Sequence, residues 1–212
     1  MLRQEIAKVP DGRYETEVGW LDDDGRTRGV KLPVKVAVVI EGDEITFDLT
    51  GSSDEVPTGY NCPFEGTTVS AMTFITRMIF LDEATYPVFV PQNEGMLAPV
   101  NVIAPKGSIF NPNYPRACFA RFCQVQRAVD LALRALASVI PDKITAGNSA
   151  HLGFLAYSGF NEEEGEYWVY LEVDEGSYGG RPGRDGLDSV DCLIANTRNN
   201  PSFFARLAEA SF

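Results

Sequence analysis

The sequence predicts an α+β fold, with antiparallel strands packed around two principal helices. Three observations carry this. Ile45, Phe47 and Leu49 alternate with Thr46 and Asp48, the period-2 pattern of a half-buried strand. Val69, Met72, Ile75 and Ile79 fall on one helical stripe, and Phe122, Val125, Val129, Ala132, Leu133, Leu136 and Ile140 on a second, longer one. Strands and helices come in runs, which separates the pattern from alternating βα units. With 212 residues the chain can bury a sizeable core. One domain over 1–212 is expected, with a subdivision near a strand meander at 1–66 and a helix and strand part at 67–212.

In chain order, Leu2 and Ile6 lie four apart on the tail of a helix that Val9-Pro10-Asp11-Gly12 ends. This mid-helix start suggests further chain upstream. Gly12–Trp20 reads as a strand, Asp22-Asp23-Asp24-Gly25 as a turn, and Val30–Ile40 as a second strand. Glu41-Gly42-Asp43 then turns into a third strand at Glu44–Leu49. Thr50–Gly66 is rich in Gly, Ser, Pro and Asn and reads as loop. A helix over Thr67–Leu81 follows, with Thr67 or Thr68 near its cap. Six prolines between Asp82 and Pro115 forbid regular helix there, leaving a short apolar strand near Val100–Ala104. The long helix is expected from Arg116 to Ile140, supported by an Asp130–Arg134 pair and stopped by Pro141-Asp142. Strands at His151–Ser158 and Tyr167–Val173 flank a solvated acidic tip, Glu162-Glu163-Glu164. A glycine-rich loop over Glu175–Asp188 and a short helix at Ser202–Ala210 complete the chain.

Lys and Arg total 18 against 30 Asp and Glu, a formal charge of -12. Such a surface repels phosphate backbones and anionic lipid, so nucleic acid and membranes are not expected as partners. No run approaches the ~20 apolar residues of a spanning helix, and the first residues lack the apolar stretch of a secretory signal. A cytoplasmic location is expected. The one histidine, His151, excludes a site with two His ligands and leaves a Ser-His-Asp arrangement a single candidate base. Cys62, Cys118, Cys123 and Cys192 show no metal-ligand spacing. Cys118 and Cys123, five apart on the expected helix, point to different faces and read as buried hydrophobes or free thiols.

Three stretches could hold a ligand. Asp48-Leu49-Thr50-Gly51-Ser52-Ser53 sets a carboxylate and three hydroxyls around a glycine bend, which also suits a plain Asx or Ser/Thr turn. Gly176–Gly186 has five glycines in eleven residues, allowing close backbone approach, and its Arg181 and Arg184 could grip a carboxylate or phosphate. It matches neither a P-loop nor a dinucleotide fingerprint. Asn93-Glu94-Gly95 and Pro105-Lys106-Gly107-Ser108 frame the irregular stretch as turns.

Taken in order, Val9-Pro10-Asp11-Gly12, Leu21-Asp22-Asp23-Asp24-Gly25, Phe47-Asp48-Leu49-Thr50-Gly51-Ser52-Ser53 and Gly59-Tyr60-Asn61 resemble the middle of the hydantoinase B/oxoprolinase family. So do Asn93-Glu94-Gly95, Pro105-Lys106-Gly107-Ser108 with Asn111-Pro112, and Asp185-Gly186-Leu187-Asp188 ahead of Asn199-Asn200-Pro201. The resemblance covers nearly the whole chain and implies a component of an ATP-dependent amidohydrolase acting on cyclic amides such as hydantoins or 5-oxoproline. It also allows a subunit of an ATP-dependent ketone carboxylase, or a non-catalytic scaffold of such a complex.

The implied cofactors are ATP and a divalent metal for the complete complex, with none held by this chain. The family's metal motifs, of Asn-Asp-Pro and Gly-Gly-x-His type, are absent, so no metal ligand is assigned and the isolated chain is expected to be inactive. The implied partners are a hydantoinase A-type ATP-using subunit, further B-type regions and a small-molecule substrate. Substrate contacts, as polar contacts and anion grip, are expected from Asp48, Thr50, Ser52, Asn61, Asn93, Gly179, Gly180, Arg181 and Asp185.

Overall fold

The computed structural model describes residues 1–81, 86, 88–148 and 152–187. His151, Cys192, the Asn199-Asn200-Pro201 motif and the expected helix at Ser202–Ala210 lie outside these residues.

A four-stranded sheet forms the centre. Strand β1 (Gly12–Glu15) pairs antiparallel with β4 (Ala37–Glu41), which pairs antiparallel with β5 (Glu44–Asp48). Gly42 makes the tight β4–β5 turn at φ 60°, and its N–H donates to Asp11 Oδ1 at 2.8 Å. The sheet ends on β6 (Val100–Ile103), which runs parallel to β5 with Val100 opposite Ile45. That one parallel pair departs from the antiparallel expectation. The β5–β6 connection contains helix α2 (Val69–Phe80), and a parallel return needs a crossover of this length.

Each of the first two expected strands divides. Residues Gly19–Leu21 (β2) and Leu32–Val34 (β3) leave the main sheet and pair with each other. The break lies at Lys35, whose N–H donates to Ser52 Oγ at 3.0 Å and whose carbonyl accepts from the same hydroxyl at 3.1 Å. One side chain thus takes both backbone groups that a continuous ladder would use. The acidic run after β2 is a turn device. Asp23 accepts from the N–H groups of Gly25 and Gly29, and Asp24 from those of Arg26 and Thr27.

Helix α1 (Leu2–Ile6) buries Leu2 and Ile6 as its spacing requires. Helix α2 buries Met72, Ile75 and Ile79. Thr68 occupies its cap position, but the hydroxyl is buried and donates to the Phe110 carbonyl at 2.9 Å. A one-turn helix, α3 (Glu94–Leu97), precedes β6.

The long helix α4 spans Arg121–Leu136, five residues shorter at its start and four at its end than expected. The N–H groups of Phe119 and Ala120 both donate to the Gly59 carbonyl, tying that segment to another loop. Cys118 therefore precedes the helix and does not share it with Cys123. Phe122 sits at the exposed edge of α4, whereas Val125, Val129, Ala132, Leu133 and Leu136 are buried. Asp130 does not pair with Arg134. Its Oδ2 lies 3.9 Å from Arg127, and its Oδ1 accepts from the backbone N–H and side-chain amide of Asn148.

One hydrophobic cluster runs from Leu2 to Ile144, with Ile40, Ile45 and Phe47 of the sheet against Ile75, Val129 and Leu136 of the helices. Helix α4 lies across β1, β2 and β4. A Cβ at Gly19 would stand 2.8 Å from Leu131 Cδ1, so the β2 backbone packs closely on α4. The last pair, β7 (Leu152–Asn161) and β8 (Glu166–Glu175), is a long antiparallel hairpin turning at an exposed acidic tip, where Gly165 adopts φ 68°. Among the described residues no helix is long and apolar enough to cross a membrane.

Candidate functional site

The fold distributes the expected contact residues over several places. Asp48 ends β5 in an Asx turn, with Oδ1 accepting from Thr50 N–H at 3.0 Å and Oδ2 from Arg13 at 3.1 Å. With Thr50, Lys35 and Glu15 it lines a shallow cavity of about 210 Å³. Burial raises the Asp48 pKa, but the Thr50 hydrogen bonds and Arg13 outweigh it and hold the carboxyl below its ordinary value. Ser52 is committed to Lys35, as described. Asn93 caps α3, its Oδ1 accepting from Met96 N–H at 3.1 Å, beside a largely apolar cavity lined by Leu2, Leu81 and Met96.

Asn61 is 0% exposed. Its Oδ1 accepts from Val56 N–H, and its amide nitrogen donates to the carbonyls of Val56, Thr58 and Ala117 at 2.9–3.0 Å. Nothing of that side chain remains for a ligand.

The glycine loop is different. After β8 the chain folds back on the segment that follows α4. Ala146 N–H donates to the Gly180 carbonyl at 2.8 Å, and Gly179 N–H donates to Gly147 at 3.0 Å. Close approach explains the glycines. A Cβ at Gly179 would fall 2.5 Å from Ala146 Cβ, and one at Gly186 would fall 2.1 Å from the Tyr178 carbonyl oxygen. Arg181 and Arg184 exchange two backbone hydrogen bonds of 2.9 Å across a turn whose Gly183 has φ 75°.

This arrangement closes a cavity of about 350 Å³ over α2 and α4. Met78, Ile79 and Leu133 form its apolar floor, and Lys143, Arg181, Arg184, Thr145 and Asp185 its polar wall. Three cations against one carboxylate make a locally positive site in a chain of charge -12. Lys143 is held by a 3.2 Å hydrogen bond to the Ile79 carbonyl. Among the described residues neither arginine side chain forms an ion pair, so both guanidiniums retain donors for an anion. Gly179, Gly180, Arg181 and Asp185 thus come together, apart from Asp48, Thr50, Ser52, Asn61 and Asn93.

Lys143 and Thr145 were not singled out in the sequence. They lie more than thirty residues from the arginines, just past the helix stop, and only the fold joins the two segments. Beyond Thr145 a second cavity, about 520 Å³, is lined by Arg127, Asp130, Arg134 and Asn148. Burial raises the Asp130 carboxyl above its ordinary value despite the Asn148 N–H and Arg127. Among the described residues no three His, Cys, Asp or Glu side chains converge on one point.

Residues 1–204 match the family model described as "Hydantoinase B/oxoprolinase". The chain is 43% identical over 205 residues to the B-type subunit of a putative D-/L-hydantoinase from Pseudomonas sp. (strain NS671), covering 95% of this chain and 34% of that protein. Among solved structures, the ATP-dependent caprolactamase from Pseudomonas jessenii shares the fold with a TM-score of 0.75 at 22% identity, covering 100% of this chain and 35% of that one. The nucleotide-free structure of an acetone carboxylase aligns with a TM-score of 0.73 at 17% identity, covering 97% and 29%. The chain spans about a third of the length of each.

Proposed function

The chain belongs to the hydantoinase B/oxoprolinase family, and from that premise we propose that it is a component of an ATP-dependent amidohydrolase that opens cyclic amides such as hydantoins or 5-oxoproline. The supporting observation is the cation set under the glycine loop, Lys143 with Arg181 and Arg184 over an apolar floor. A cyclic amide is a poor electrophile. Phosphorylating its oxygen makes a good leaving group and adds negative charge to a small, partly apolar molecule. A cavity of about 350 Å³ with two uncommitted guanidiniums suits that combination. Arg181 and Arg184 grip the anionic group, Met78, Ile79 and Leu133 seat the hydrocarbon part, and the glycines let the backbone approach. In this reading ATP is used by an A-type partner subunit, as membership of the family implies.

The test is ATP-dependent ring opening of hydantoin and 5-oxoproline by the complex assembled with an A-type subunit and the remaining B-type regions. Coupled ADP release is expected. Arg181→Ala should lower kcat/KM at least tenfold with an unchanged circular dichroism spectrum. Unchanged turnover in the variant removes the cavity from the reading, and ring opening without ATP removes the reading itself. Turnover of a ketone with bicarbonate, but not of the amides, would replace amide hydrolysis by carboxylation.

A further inference from the structure

Among the described residues, strands β7 and β8 pair only with each other. Their register places Phe154, Ala156, Ser158 and Phe160 on one face with Leu171, Val169 and Tyr167. Five large side chains on that face are more than half exposed: Phe154 51%, Phe160 59%, Tyr167 67%, Val169 70% and Leu171 57%. The opposite face carries Tyr157, Trp168 and Tyr170 in ring contact at 5.7 and 5.1 Å. A two-stranded ribbon is marginal alone in water, and a contiguous apolar face of this kind marks a protein interface.

Two observations choose the occupant. The ribbon's tip carries exposed Glu162, Glu163, Glu164 and Glu166, and the chain has a charge of -12. A second copy would bring the same charge to the contact, whereas an apolar surface edged with Lys and Arg would complement it. Also, the Pseudomonas hydantoinase chain and the caprolactamase run to about three times the length matched here. In each, the counterpart of this ribbon is joined to a further two thirds of polypeptide.

We propose that the Phe154–Phe160 and Tyr167–Leu171 face docks on the part of a B-type subunit that lies outside these 212 residues. The contact is apolar at its centre and basic at its edge, and it secures the ribbon just ahead of the glycine loop. The inference rests on the B-type reading above but not on its chemistry.

Site-resolved thiol labelling tests it. In the isolated chain, Val169→Cys should react with maleimide about as fast as Glu163→Cys at the tip. In the intact Pseudomonas protein, a cysteine at the position aligned with Val169 should react at least tenfold more slowly, with the tip position still fast. Equal rates at both positions in the intact protein overturn the proposal. Slow labelling of Val169→Cys in the isolated chain also overturns it. If concentration-dependent, the occupant is a second copy, and if not, the rest of this chain. Fully buried Cys62 reports folding of the isolated chain, and Leu171→Cys gives the same reading if Val169→Cys unfolds. Labelling needs neither ATP nor substrate. Protection without ring opening therefore sinks the enzymatic reading alone, and ring opening without protection sinks this one alone.

Discussion

Asn61 and Arg181 are both polar residues in turn-rich stretches, and their side chains do opposite work. Asn61 is fully engaged: one acceptor and both donors serve four backbone groups, joining residues 56–58 to Ala117. Asn61→Ala would leave those buried groups without a partner, at about 1–3 kcal/mol for an unsatisfied group and more where several are lost together. We expect a loss of at least about 2 kcal/mol in urea unfolding. Asn61→Asp is nearly isosteric and should be no milder, because it turns carboxylate oxygen toward the carbonyls of Val56, Thr58 and Ala117. If the aspartate variant is as stable as the parent, the amide is not what holds these loops. Composition and spacing could not separate Asn61 from Arg181. Whether a side chain's hydrogen bonds are taken by distant backbone is a tertiary fact, and Ala117 lies 56 residues from Asn61.

At the scale of elements, what was legible is what periodicity encodes. β5, the buried stripe of α2 and the core of α4 all follow from repeats within one segment. What was not legible depends on a second segment: the break at Lys35 on the Ser52 hydroxyl, the late start of α4 on the Gly59 carbonyl, and the parallel seat of β6 on the crossover through α2. The glycine loop stands between the two cases. Its composition announced close approach, but Ala146 and Lys143, which it approaches, were hidden. Its glycines are therefore unequal. Gly186→Ala drives a Cβ into the Tyr178 carbonyl and should unlatch residues 176–187, whereas Gly183→Ala meets no neighbour and adds only the strain of φ 75°, about 1 kcal/mol. Hydrogen exchange distinguishes them. At Gly186→Ala, amides of the loop should exchange at least tenfold faster, with β4 and β5 unchanged. Equal effects from the two substitutions would mean that these contacts do not hold the loop.

For the whole molecule the charge pattern sets the response to acid. Hydrogen bonds from the Thr27 and Arg26 N–H groups hold Asp24 below its ordinary range, and those from Gly29 and Gly25 do the same for Asp23. Glu55 is held down by Asn113 N–H and Arg116, and Glu5 by Lys8 and the Tyr86 hydroxyl. A carboxyl whose folded pKa is depressed adds stability above its unfolded value, near 4, and loses it as pH falls through the folded value. Asp130 has the opposite sign. Burial raises its folded pKa, so the charge costs stability in full above that value, and the cost falls as pH drops below it and is gone below the unfolded value near 4. The depressed carboxyls outnumber it. Urea midpoints should therefore change little between pH 7 and 5, where relief of the -12 self-repulsion helps, and drop below pH 4. Asp130→Asn isolates the contrary member, since an amide oxygen can still accept from Asn148 and carries no charge. The variant should be more stable than the parent at pH 7, by a margin that shrinks as pH falls and the parent's Asp130 becomes neutral. A margin that stays constant or widens toward pH 4 would show that burial does not govern this carboxylate, and that the arginines lining its cavity already neutralise it.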